Sequence, residues 1–291
     1  GVQTCALPIC SEYAQNYTTC FLQDGDAFVL RTEFLIQILE GIHKYLPNIK
    51  HVTTYARADS IARKSVSELR ELKAAGIEHL YCGMETGSDL ILRKINKGFD
   101  AATIIIGGTK AKEAGMVLSE FTLFGIGGKE LAEENAVETA KVLNVIKPDF
   151  IRVHATGIKL SSEMWNYVKN KELTLQSEEE IVSEQKIMLE LLADDMDCIY
   201  MNERIVNLLL EVRGNIRTDK QNMLETINTY LQLPKQEQEL FNLGRRLNIM
   251  FFLADLNNRA KRKQTEEGLR KIKAQNPDLD LAFVCNYVRQ T

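Results

Sequence analysis

The feature that most constrains this chain is a repeated unit. A short β-prone run is followed by a polar or glycine-rich break and then an amphipathic helical stretch, recurring about every 25–35 residues. Residues 18–23 form the first run, and Asp24-Gly25-Asp26 the first break. Apolar side chains at 34, 35, 38, 39, 42 and 46 then lie on one helical stripe within 32–46. Thr32 is its expected N-cap and Pro47 its stop. Residues 51–55 read as the next strand, and 65–75 as a helix with Ser65 and Glu68 at capping-box spacing, closed by Gly76.

The same alternation continues. Strands are expected at 78–82, ended by Gly83, at 117–124 and at 150–155. Helices are expected at 88–96, 101–114, 131–146 and 177–193, the last with Ser177 and Glu180 at capping-box spacing. A short strand at 198–202 is expected to end the alternation. Beyond it, 205–210, 222–233, 237–257 and 265–274 read as helix without intervening strands.

Strands alternating with helices in this way signal a parallel sheet, and such crossovers are nearly always right-handed, so the units curl into an open or closed βα barrel. The expected class is α/β, with a barrel over 18–202 and a helical C-terminal region over 203–291. Residues 1–17 fit no element and are set apart as an atypical leader.

Composition excludes some classes. The net charge of -4 and pI of about 5.8 are not those of a protein held to nucleic acid by bulk electrostatics. No apolar run approaches the roughly 20 residues of a membrane span, so neither partner is expected and a cytoplasmic location is. The six cysteines, at 5, 10, 20, 82, 198 and 285, are scattered, unlike a disulfide framework.

In parallel βα architectures ligands bind where strands end and helices begin. Those ends here are Asp24-Gly25-Asp26, Tyr55-Ala56-Arg57, Gly83-Met84-Glu85-Thr86-Gly87-Ser88, Gly125-Ile126-Gly127-Gly128 and His154. Each also has a plain structural reading. The first is a turn, Arg57 a surface ion-pair partner, the glycine run a tight turn, and His154 a satisfied interior histidine.

The order and spacing of these motifs resemble the radical S-adenosylmethionine (SAM) superfamily. Asp24-Gly25-Asp26 stands where that family meets the SAM amino group. Tyr55-Ala56-Arg57 stands where a basic residue meets the carboxylate. Gly83 to Asp89, with Glu85, Thr86 and Ser88, resembles the stretch near the ribose, and Asn96-Lys97-Gly98 follows at the family's interval. Gly125, Gly127 and Gly128 resemble the motif beside the adenine.

The resemblance implies SAM and a [4Fe–4S] cluster as cofactors, an electron donor as partner, and radical chemistry on an unnamed substrate. The family's Cys-x3-Cys-x2-Cys cluster loop is not in this sequence, nor is a catalytic residue or a metal ligand assignable. The resemblance therefore implies a partial, open TIM-like βα barrel with parallel strands whose first strand and cluster loop are missing, the parent enzyme being longer and this fragment inactive. A barrel without a cluster, acting as a binding or interaction module, is the alternative. An aldolase or isomerase would need a lysine at a strand's carboxyl end, and none precedes Lys159.

Overall fold

The computed structural model describes residues 16–275 and 281–289. Most of the atypical leader, with Cys5 and Cys10, lies outside the described residues.

Seven strands form one open sheet in the order of the chain: β1 (Thr19–Leu22), β2 (His51–Ala56), β3 (Ile77–Glu85), β4 (Val117–Phe124), β5 (Phe150–Ala155), β6 (Ile199–Met201) and β7 (Gly214–Asn215). The first six pair in parallel, and only β7 runs antiparallel, against β6. The described sheet does not close on itself, which is the partial TIM-like α/β arrangement with helices following it.

Helices α1 (Thr32–Tyr45), α2 (Ala58–Arg63), α3 (Val66–Ala74), α4 (Asp89–Lys94), α5 (Ala101–Glu113), α6 (Ala132–Ile146), α7 (Met164–Lys169) and α8 (Glu178–Leu191) connect the parallel strands. Their apolar stripes cover one sheet face, burying Val52, Leu80, Met84, Leu118, Ile151 and Val153. The close packing of α5 depends on two glycines. A Cβ on Gly107 would sit 2.7 Å from the Ala58 carbonyl oxygen, and one on Gly108 would meet Ile146 at the same distance.

Both capping boxes form as the sequence predicts, at Ser65 with Glu68 and at Ser177 with Glu180. Thr32 is not an N-cap. It is the first residue of α1, and its hydroxyl donates to Glu68 Oε1 at 2.9 Å.

Strand β3 does not stop at Gly83. It runs on to Glu85 through a register shift between Gly83 and Glu85, and Glu85 itself has a φ of 66°.

The C-terminal part follows as α9 (Ile216–Leu231), α10 (Lys235–Arg246), α11 (Arg259–Gln275) and α12 (Leu281–Val288). The helix expected at 205–210 is absent. That stretch is irregular, and the buried Arg245 side chain donates to the carbonyl oxygens of Ile205, Asn207 and Leu208 that a helix would have used itself. The helix expected at 237–257 is broken after Arg246, where Asn248 takes a positive φ of 56°.

A buried ion triad ties this part to the barrel. Glu178, at the start of α8, accepts from Arg246 Nε and Arg289 Nη1, both at 2.8 Å. Those two cations hold the Glu178 carboxyl below its ordinary range against the opposing effect of burial, which is the largest single influence on it. Asn286 and Arg289 bond the loop after β5 at Ile158 and Thr156.

Candidate functional site

The uncovered sheet face carries the cavity. Alternation along each strand sends one residue in two to this face, and it places a row of rings there. Phe21 meets Tyr55 edge-on with centroids 4.7 Å apart, Tyr55 meets Tyr81 at 6.2 Å, Tyr81 meets Phe121 at 6.2 Å, and Phe121 meets His154 at 5.3 Å. Above the row, at the carboxyl ends of the strands, lies a cavity of about 290 Å³. Its walls include Gly25, Arg57, Glu85, Lys97, His154 and Arg204, with the rings of Tyr55, Tyr81 and Phe121.

A chain of polar contacts fixes the β1–β3 end. Asp26 accepts from the Arg57 backbone N–H at 3.1 Å and from the Ser60 hydroxyl, so both its oxygens bind the turn after β2. Arg57 lies over the Phe99 ring, donates through Nε to Asp59 at 3.0 Å, and through Nη2 to the Lys97 carbonyl at 2.8 Å. Lys97 Nζ in turn reaches Glu85 Oε1 at 2.7 Å, a pair about four-fifths removed from solvent. Three separate strand ends are thereby tied into one wall.

Asp24 is exposed, with a φ of 108°, and its Oδ1 accepts from the next residue's N–H. No atom lies within 4 Å of where a Cβ on Gly25 would be, so the backbone there is open to an approaching group.

The other end is cationic and aromatic. His154 Nε2 accepts from Arg204 Nε at 3.0 Å, which places the ring proton of the neutral imidazole on Nδ1. Burial first, then Arg204 and Arg152, push its pKa down to about 4. His79 is likewise lowered to about 4, by burial and then Arg152. It stacks on Tyr81 with centroids 4.2 Å apart, and its Nε2 lies 2.8 Å from Ser119 Oγ. Both histidines are neutral near pH 7.

Several motif residues stand elsewhere. Thr86 and Ser88 are fully buried and do not line the cavity. The Ser88 hydroxyl accepts from Ile91 N at the start of α4 and donates to Glu134 at 2.5 Å, while Thr86 Oγ1 accepts from Ser88 N. Gly125, Gly127 and Gly128 do not line it either. A Cβ on Gly127 would meet Ile91 and Leu131 at 2.9 Å, and one on Gly128 would meet Leu173 at 2.7 Å.

The Gly125 turn is instead held from behind by Glu184. That carboxylate accepts from Gly125 N at 2.9 Å, Asn135 Nδ2 at 2.6 Å and Gln176 Nε2 at 2.9 Å. Burial raises its pKa to about 7, against the pull of those three donors. Asn135 continues to Thr139, whose hydroxyl receives the Gly87 N–H, so one buried network positions the turns after both β3 and β4.

Sequence reading placed Gly25, Tyr55, Arg57 and Glu85 as ligand contacts, and the structure brings these four to one cavity. It missed Tyr81 and Phe121, which alternation along β3 and β4 could have found. It weighed His154 both as a strand-end candidate and as a satisfied interior histidine, and the structure shows its Nε2 accepting from Arg204 with the residue on the cavity wall. Arg204 had no sequence signal, since it follows β6 in an irregular segment.

Among the described residues no group of three or more His, Cys, Asp or Glu side chains could hold a metal ion. Cys82, Cys198 and Cys285 are buried and Cys20 is half-buried, each a free thiol.

No family model matches the chain. Over 173 residues it is 23% identical to the heme chaperone HemW of Bacillus subtilis, a stretch covering 59% of this chain and 45% of that protein. The chain thus spans less than half the length of this curated relative. Among solved structures, Elp3 of the archaeon Methanocaldococcus infernus superposes with a TM-score of 0.51 at 13% identity, over 79% of this chain and 57% of that one. Coproporphyrinogen III oxidase (HemN) of Escherichia coli, a radical SAM enzyme, gives 0.49 at 14% identity, over 65% and 47%. The likeness to Elp3 is one of fold alone.

Proposed function

We propose that this chain is the SAM-binding barrel of a radical SAM enzyme. The observation that carries the reading is the convergence of Gly25, Tyr55, Arg57 and Glu85, from three strand ends, on one cavity of about 290 Å³. SAM is a zwitterion attached to a nucleoside, so it needs donors for a carboxylate, an acceptor for ribose hydroxyls and a flat apolar contact. Arg57 and Lys97 supply the donors, Glu85 the acceptor, and Tyr55 with Tyr81 the flat contact. Asp26 works indirectly, by holding the Arg57 backbone. Gly25 leaves the backbone accessible to the ligand's polar end.

The described residues do not fit a [4Fe–4S] cluster, because their thiols are dispersed and no metal-holding group forms. Reductive cleavage of SAM, with an electron donor and an unnamed substrate, is therefore proposed for the whole protein on the resemblance and the fold. The same dispersal of thiols favours a second reading, a barrel without a cluster that serves as a binding module.

Calorimetry of this chain with SAM and with 5′-deoxyadenosine tests the first reading. Saturable binding of both at one site, lost in Glu85→Ala, is expected. Absence of any adenosyl binding at millimolar concentration contradicts it. Anaerobic incubation of the whole protein with iron and sulfide separates the two readings, since only the enzyme reading expects stable cluster uptake.

A further inference from the structure

The cavity has two chemically different ends. At the β1–β3 end every cation has a carboxylate: Arg57 pairs with Asp59, and Lys97 with Glu85. At the β4–β6 end the cavity-lining guanidinium of Arg204 has none among the described residues. Arg204 spends its Nε on His154, and its two terminal nitrogens make no hydrogen bond or ion pair among the described residues. Arg152 spends its Nε on Ser119 Oγ at 3.2 Å and lies over the rings of Tyr81 and Phe150, 5.1 and 5.6 Å from their centroids. The nearby imidazoles of His79 and His154 are neutral near pH 7 and add no positive charge of their own. Glu203, beside Arg204 in sequence, reaches toward Arg213 instead, at 3.7 Å.

A guanidinium on a cavity wall without a counter-charge attracts an anion. A planar guanidinium with two free terminal nitrogens matches a carboxylate or phosphate edge by paired hydrogen bonds. Phe121 lies against His154, centroids 5.3 Å apart, and lines the same cavity as Arg204, so whatever carries the anion meets an aromatic face.

We propose that the β4–β6 end of the cavity is an anion subsite for substrate: Arg204, held by His154, receives a carboxylate or phosphate borne on a flat apolar body lying against Phe121. This deepens the reading above and rests on it only for the word substrate. It assigns the two ends separate duties, an adenosyl ligand at β1–β3 and the group to be transformed at β4–β6. His154 is a positioning residue, because it orients Arg204 through Nε2.

The test is titration of this chain, without SAM, by three probes of one shape: naphthalene-2-carboxylate, 2-naphthyl phosphate and the neutral naphthalene-2-carboxamide. One or both anions should bind about tenfold or more tighter than the carboxamide, the order expected for a charge-assisted paired contact. Arg204→Met should remove that preference, while Arg213→Met, nearby but paired with Glu203, should keep it. Arg204 is exposed, so the variant should melt as the wild type does. The tighter of the two anions assigns carboxylate or phosphate. Equal binding of the carboxamide, an unchanged preference in Arg204→Met, or no binding of either anion at millimolar concentration overturns the proposal. A chain that binds the anions but no adenosyl compound retains this subsite and loses only the SAM reading, and the reverse outcome loses only the subsite.

Discussion

Glu120 gives the sharpest quantitative expectation. It sits in the middle of β4, between Cys82 on β3 and Ile151 on β5, on the face covered by helices. It is 1% exposed, and among the described residues its carboxyl oxygens meet no nitrogen or hydroxyl donor, only the weak thiol of the adjacent Cys82. Burial, the largest cause, raises its pKa from 4.5 to about 8. The folded carboxyl therefore keeps its proton up to about pH 8, while the unfolded chain releases it near 4.5. Within that window the folded state binds the extra proton, so stability falls as pH rises, by about 1.4 kcal/mol per pH unit. The variant Glu120→Met keeps the volume and removes the titration. In urea unfolding, its gain over the wild type should be larger at pH 7.5 than at pH 5.5, by on the order of 3 kcal/mol. Glu184 contributes a slope of the same sign in both proteins and cancels in the difference. An equal gain at the two pH values would refute the reasoning, since it would mean that Glu120 titrates alike in the folded and unfolded chain.

Other expectations follow from close contacts and pairs. A Cβ on Gly87 would lie 2.3 Å from the Glu138 carbonyl oxygen and 2.7 Å from Thr139 N, both backbone atoms. Gly87→Ala should therefore cost about 3 kcal/mol or leave the chain unfolded, read by thermal melting. Glu178→Ala leaves Arg246 and Arg289 buried without their counter-charge. It should cost about 3–5 kcal/mol in chemical denaturation and expose the last helix to limited proteolysis. Ser65→Ala removes one capping-box partner and should cost about 1 kcal/mol by urea midpoint.

Much of the barrel was legible because its causes are local. Hydrophobic periodicity, capping boxes and glycine or proline stops located β2, β4, β5 and helices α3 to α6 to within a few residues, while the short helix α2 was not foreseen. The errors came where distant residues decide. Gly83 looked like a strand terminator, yet pairing with Phe121 carries β3 through it to Glu85. The Gly125 run looked like a ligand cradle. Its neighbours are Ile181 and Glu184 on α8, more than fifty residues on, and no local pattern announces that packing. The segment at 205–210 has helical composition, but Arg245 captures its carbonyls from α10. The candidate site divides the same way. Gly25, Tyr55, Arg57 and Glu85 sit at strand ends that the repeat predicts, while Arg204 enters from an irregular loop.

Backbone hydrogen exchange with and without saturating SAM tests most directly whether these strand ends act as one adenosyl site. Slower exchange confined to the segments around Gly25, Arg57, Glu85 and Lys97 is the expected pattern. Protection that falls instead on the C-terminal helices, or no change anywhere at saturating ligand, would contradict it.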